Sequence, residues 1–228
     1  MFWPLLFFFC LLAAAQEPAP SPVYTQITVI ATRGASEDAA TTPQLIVVKD
    51  STDLLKRPLL TLGNVLEAEP GILVQQSTAG QVSPFLRGLT GYQVLNLIDG
   101  IRFNNSTFRS GPNQYLAWIE PSQADRVEAM LGPASAQYGS DSLGGTIQVL
   151  TTPAQYSASA ARLWHADAML SGATADFSSA AQARFSVASE RLFFLAGLSG
   201  RKHNDIRPGS GVDSRNVYAR LFGLDHDT

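Results

Sequence analysis

Charge, cysteine and histidine are all scarce in this sequence. Asp, Glu, Lys and Arg make up 15% of 228 residues, against a soluble average of roughly 25%. The net charge is −3 and no block of Lys or Arg occurs. There is accordingly no electrostatic footprint for nucleic acid and no basic membrane-binding patch. A lone cysteine, Cys10, excludes a disulfide within the chain and any cysteine-based metal site. The histidines, His165, His203 and His226, are scattered and suggest no metal centre. No G-x-S-x-G or H-E-x-x-H motif is present. Gly139, Gly144, Gly145 and Thr146 have P-loop spacing, but Gly145 stands where the phosphate-binding Lys is required. No repeat of solenoid or propeller period occurs. The sequence thus points away from an enzyme, and no cofactor is expected.

What the chain does have is apolar and turn-forming residues: 45% hydrophobic, with 18 Gly and 13 Pro. That mixture favours short strands over a helical bundle. Residues Met1 to Ala15 read as an apolar run closing on Ala13-x-Ala15, the pattern of a secretory signal. The run is shorter than the about 20 residues of a membrane-spanning helix. No Lys or Arg precedes it. Gln16 to Pro22 is a Pro-rich linker, and the β-prone Ile27-Thr28-Val29-Ile30 follows it.

From Leu45 to Leu150 the pattern is mixed α and β. Leu45 to Val48 reads as a short buried strand. Ser51 or Asp53 is placed to cap a short helix that Pro58 stops. Thr61 is placed to cap a second, with Leu62, Val65 and Leu66 on one face and Pro70-Gly71 at its end. Ile72 to Gln75 resumes as strand. Val94 to Ile98 and Ile101 to Phe103 flank Asp99-Gly100, a hairpin signal because both turn positions require positive φ. Val127 to Leu131 reads as strand, Ala134 to Tyr138 as a helical turn between Pro133 and Gly139, and Thr146 to Leu150 as strand.

After Thr152 small residues alternate with aromatics. In Gln182 to Ala188, Ala183, Phe185 and Val187 fall on one side. Arg191 to Ser199 and Asn216 to Leu224 have strand-length apolar content, separated by the polar loop Lys202 to Arg215. Alternating segments of about ten residues fit a transmembrane β-barrel. A soluble hairpin domain fits the same periodicity.

The segment Pro84 to Leu150 resembles the plug domain of TonB-dependent outer-membrane receptors. The likeness rests on an ordered set of elements: Arg87-Gly88, the strand Val94 to Ile98, Asp99-Gly100-Ile101-Arg102, Arg126-Val127-Glu128, Gly132-Pro133 through Tyr138-Gly139, and Gly144-Gly145. Ile27 to Arg33 resembles the TonB box of that family, without an acidic residue immediately before it.

The resemblance implies an α+β plug domain, a small mixed sheet with short helices, followed by antiparallel strands of an incomplete transmembrane β-barrel. It implies a signal at 1–15, a linker at 16–43 containing the box at 27–33, a plug at 44–152 and barrel strands at 153–228. In the family, the periplasmic protein TonB binds the box and couples proton-motive force to the plug. The expected partner-binding residues are Ile27, Thr28, Val29, Ile30 and Ala31, exposed on a tether and able to add as a strand to a partner sheet. Arg87, Arg126 and Glu128 are expected to make polar contacts with the barrel. Loops at the outer end of the plug meet the ligand, which makes Asn104, Asn105, Phe108, Arg109 and Gln114 contact candidates. The family imports iron chelates, haem or cobalamin across outer-membrane lipid.

Length raises a difficulty. A 22-stranded barrel of this kind requires roughly 220 strand residues, and Pro153 to Thr228 supplies 228 − 152 = 76. That is room for about four to six strands. The expectation is a gene fragment, half of a split gene or a truncated chain, not competent for transport alone. The rival readings are a free-standing periplasmic plug-like binding module, a non-functional gene fragment and an exported hydrolase. A continuous apolar face on the strands beyond Arg162 separates the receptor from the soluble module.

Overall fold

The computed structural model describes residues 27, 28, 30, 37–56, 61–78, 80–107, 110–159, 161–174 and 177–204. The expected export signal, the Pro-rich stretch Gln16 to Pro22, Val29, Ala31, Phe108, Arg109, the helix stop at Pro58 and the strand Asn216 to Leu224 lie outside these residues.

A five-stranded mixed sheet organises the first part. Its strands are β3 (Leu45–Lys49), β6 (Val94–Ile98), β7 (Ile101–Arg102), β8 (Ala124–Leu131) and β9 (Gly145–Thr151), in the order β3-β8-β9-β6-β7. All neighbours are antiparallel except β6 and β9, which run parallel. The β6–β7 turn forms as the sequence dictates: Asp99 and Gly100 adopt φ of 48° and 81°, as a two-residue hairpin of this type requires. The Asp99 carboxylate also accepts from the Thr151 amide at 2.9 Å and the Thr151 hydroxyl at 2.7 Å. The turn therefore holds the end of β9.

One face of this sheet carries Val94, Val127, Ala129, Leu131, Ile147 and Val149. It packs on Leu62, Val65 and Leu66, on Leu116, and on the hairpin β4 (Ile72–Thr78) with β5 (Gln81–Leu86). Burial of such a continuous apolar set is the main stabilising term. The opposite face presents Ile46, Glu128, Met130 and Gln148. It is covered in part by β1 (Ile27–Thr28), which pairs with β2 (Glu37–Asp38), and by Ile30.

Three local elements differ from the sequence expectation. Helix α1 (Ser51–Leu55) is capped by Asp50, whose carboxylate accepts from the Asp53 amide while Asp53 accepts from the Asp50 amide. This reciprocal pair satisfies two otherwise orphan donors. The second helix is a 3₁₀ turn, Leu62–Leu66, with all five residues buried. Asn64 folds back to accept from both the Thr61 amide and hydroxyl. Strand β5 was not foreseen because it contains Pro84, yet its hairpin leaves an edge where a missing N–H is tolerated.

The last part is a three-stranded antiparallel meander of β10 (Leu163–Ala173), β11 (Ser178–Ala188) and β12 (Phe193–Lys202). The register aligns Ala168, Ala183 and Leu198 on one face, and Met169, Gln182 and Ser199 on the other. Side chains alternate along each strand. One face is therefore apolar, running through Trp164, Leu170, Ala183, Phe185, Phe194 and Leu198. Leu170 is 85% and Leu198 79% exposed. The other face carries Asp167, Gln182, Arg184 and Arg201. Helix α2 (Ser135–Tyr138) sits between β8 and β9 and ends at Gly139 with φ 81°.

Candidate functional site

Three places concentrate polar chemistry. The first lies over β8. Glu128 is fully buried. Its Oε2 accepts from the Thr28 hydroxyl at 2.8 Å and from the Ile30 amide at 2.9 Å. Arg126 approaches its Oε1 at 3.6 Å. The carbonyl of Ile30 in turn accepts from the Tyr138 hydroxyl at 2.5 Å. Ile30 itself is fully buried with Met130 and Ala134, and Ile46 and Tyr138 pack alongside. The sequence reading places this segment on an exposed tether. Here Thr28 and Ile30 are instead sealed against the sheet, because a buried carboxylate and the apolar Met130 both require cover.

The second place joins the mixed sheet to the meander. Arg184 Nε contacts Asp167 at 3.1 Å across β10 and β11, while its Nη1 donates to the Thr152 hydroxyl at 2.8 Å and the Ser122 carbonyl at 3.3 Å. Arg201 on β12 pairs with Glu120. A small cavity at this seam is lined by Ser51, Leu54 and Ser122 on one side and by Asp167, Gln182 and Arg201 on the other. The charged face of the meander is thus the one turned to the mixed sheet.

Arg184, Arg201 and Glu120 were not singled out from the sequence. For Arg184 the signal was present in the i, i+2 alternation of Gln182 and Arg184 with Ala183 and Phe185. Of the residues that were singled out, Arg126 and Glu128 approach each other, and Glu128 also accepts from Thr28 and Ile30. Arg87 adopts φ 51° and lies beside Gly132.

The third place is the far end of the β4–β5 hairpin. A cavity there is lined by Gln75, Ser77, Gln81, Ser83, Asn113 and Gln114. Asn113 is buried, its amide N–H donates to the Ser83 hydroxyl at 3.2 Å, and its side-chain nitrogen has no partner among the described residues. Of the ligand-contact candidates, Gln114 lines this cavity. Asn104 is turned inward, its Oδ1 accepting from the Asn96 amide at 2.9 Å while its Nδ2 donates to the Val94 carbonyl at 2.9 Å. Asn105 accepts from Thr107, and its own amide donates to the Tyr115 hydroxyl at 2.8 Å. Asn104 and Asn105 therefore shape the loop, while Gln114 borders open space. Asn113, Gln75 and Gln81 were missed, although the polar run Gln75-Gln76-Ser77 ahead of Gly80 marks a hairpin tip.

Among the described residues no group of His, Cys, Asp and Glu is arranged to hold a metal.

Residues 38–146 match the family model of the TonB-dependent receptor plug domain. The vitamin B12 transporter BtuB of Vibrio vulnificus strain CMCP6 is 34% identical over 142 residues, which cover 59% of this chain and 22% of that protein. BtuB of strain YJ016 is 29% identical over 210 residues, covering 87% and 33%. Among solved structures, the pyoverdine outer membrane receptor FpvA from Pseudomonas aeruginosa PAO1 aligns with a TM-score of 0.62 at 20% identity, over 79% of this chain and 25% of that one. The copper transporter OprC aligns with a TM-score of 0.60 at 19% identity, over 74% and 25%. The chain spans between about a fifth and a third of the length of these curated relatives. Residues 38–146 thus match the TonB-dependent receptor plug domain, on a chain homologous to BtuB, a TonB-dependent receptor.

Proposed function

We propose that the chain serves energy-coupled uptake across the bacterial outer membrane, as plug and first barrel strands of a TonB-dependent transporter. Residues 1–15 direct export in this reading, and Ile27 to Ala31 are the segment that TonB engages. The cargo is a scarce ligand such as an iron chelate, haem or cobalamin, met at the end of the plug where Gln114 lies. No covalent chemistry is involved. The plug gates a pore.

The observation that carries this reading is the division of the meander into two faces. Strands of 11, 11 and 10 residues match the about 9–11 of a tilted transmembrane strand. The apolar face suits lipid, and the charged face grips the plug through Arg184 and Arg201. A free-standing periplasmic module would leave Leu170, Leu198 and Phe194 in water, which weighs against that alternative.

Neighbouring residues on opposite faces provide the test. Ala183→Lys places a charge on the apolar face, at an expected cost of about 2–4 kcal/mol near the bilayer midplane. Gln182→Lys places the same charge on the inner face. Co-flotation of the expressed chain with lipid vesicles should fall sharply for the first variant and little for the second. Equal flotation of both would refute the membrane reading. Crosslinking from a cysteine at Val29 tests TonB contact separately.

A further inference from the structure

We propose that the meander seats one anionic glycerophospholipid, its phosphate on Arg162 and Arg191 and an acyl chain in a hollow of the apolar face. The inference rests on the reading of that face as embedded in a membrane.

The outward side chains fall in rows across the three strands. The row nearest the turn between β11 and β12 is bulky, with Trp164, Val187 and Phe194 side by side. Trp164 also leans on Phe185, with ring centroids 5.6 Å apart. The next two rows are built largely of alanine, at Ala166, Ala168, Ala183 and Ala196. Where the bulk stops, a hollow of about 460 Å³ opens, lined by these alanines with Phe185 and Leu198. Its lining is exposed and presents no polar side chain to the face. A flexible hydrocarbon chain that fills such a hollow gains dispersion contacts that a level wall of side chains does not offer.

Charge identifies which lipid the hollow takes. Arg162 immediately precedes β10 and Arg191 lies in the turn before β12, so both stand beyond the bulky row. Both are exposed, and neither side chain has a partner among the described residues. Glu190 is the acidic residue of the same turn, so these strand ends carry two cations against one anion. A guanidinium offers a planar fork that matches the oxygens of a phosphate. The distances also fit. From Arg162 to Ala168 is six residues, roughly 20 Å along a strand. At a tilt of about 45° that is roughly 14 Å of depth, about half of the hydrocarbon core. With the arginines at headgroup level, the hollow lies where an acyl chain ends, and Trp164 and Phe194 stand at the boundary that aromatic side chains favour. A zwitterionic lipid brings its own cation to compete with the arginines, so the seat selects a lipid without one.

The test titrates the full chain in detergent with phosphatidylglycerol or phosphatidylcholine of matched acyl chains, and native mass spectrometry counts the retained lipid. The unmutated chain should hold one phosphatidylglycerol in preference to phosphatidylcholine. Arg162→Gln and Arg191→Gln should each weaken phosphatidylglycerol binding about fivefold, and the double variant about thirtyfold. Ala168→Phe fills the hollow with the charges in place, and should weaken both lipids alike. All these changes lie on the outer surface, and circular dichroism of the strands checks folding. Equal binding of the two lipids by the unmutated chain, or a double variant that keeps the preference, would overturn the seat. A dimer that covers this face in place of a lipid adduct would overturn it too. Flotation with vesicles of each lipid is read in parallel. Flotation with both vesicles but no lipid preference in detergent removes the seat and retains the membrane reading. Failure to float with either removes both.

Discussion

Gly145 opens β9 opposite Leu131, and replacing it with alanine is the most demanding test of the packing. Its φ is 153°, and a Cβ built there falls 2.3 Å from the Met130 carbonyl oxygen and 2.6 Å from a Leu86 methyl. The first neighbour is backbone within the β8–β9 ladder, so it cannot swing aside. Holding a non-glycine residue in this backbone region costs about 1–3 kcal/mol. Forcing the strands apart to admit the methyl costs about 1–3 kcal/mol more. Together these amount to about 2–6 kcal/mol, a large part of a typical domain stability of about 5–15 kcal/mol. Gly111→Ala is the control, because a Cβ there meets nothing within 4 Å and should change stability by less than about 1 kcal/mol. Urea unfolding of the full chain in detergent, together with amide exchange at Ile147 and Val149, gives the readout. Gly145→Ala should lower the midpoint steeply and deprotect both amides. A midpoint equal to that of Gly111→Ala would show that β8 and β9 do not meet at this distance, and the sheet order would have to be redrawn.

Two further outcomes follow from the charges. Arg184→Met removes a cation that ties Asp167 to Ser122 and Thr152. It should weaken docking of the meander on the plug by about 1–3 kcal/mol, seen as faster proteolysis between Thr152 and Arg162, and unaltered proteolysis would argue against this seam. In α1, the hydrogen bond from Lys56 holds the Asp53 carboxyl below its ordinary value of 3.8, and Asp53 holds the Lys56 amine above its ordinary 10.5. A depressed acid stabilises above its unfolded pKa and loses that effect as pH falls through the lower folded value. A raised base stabilises below its unfolded pKa and loses the effect as pH rises through the higher folded value. Protection of the Leu54 amide should therefore be level between about pH 5 and 9 and fall on both sides, and Asp53→Asn should remove the acid limb.

Much of the plug was legible because its signals are local. Asp99-Gly100 dictates a hairpin whatever surrounds it, and Gly139 ends a helical turn for reasons within the turn. The alternation of Ala183, Phe185 and Val187 likewise fixed one face of β11 before any partner strand was known. What escaped depends on residues far apart in sequence. The parallel pairing of β6 with β9 joins Val94 to Gly145 across a long connection, and no periodicity announces it. Leu62–Leu66 winds as a 3₁₀ turn, where an i, i+3, i+4 pattern suggests an α-helix. The seam through Arg184 and Arg201 requires knowing which strand face meets the plug. The burial of Thr28 and Ile30 requires knowing that Glu128, one hundred residues from Thr28, lacks solvent. In each case the decisive neighbour is distant, and a reading confined to short windows weighs only the near one.

The position of β3 bears on how force would travel. It is an outermost strand of the five, bonded only to β8 through five residue pairs, whereas β9 is bonded on both flanks. It is also the first strand of that sheet reached from the amino-terminal arm. Tension applied to the arm therefore arrives at a strand bonded on one flank alone. Leu45–Lys49 would detach with its few bonds while the β8-β9-β6 slab stayed assembled. Such a domain yields by shedding a margin, and recovers by laying one short strand back along an intact template.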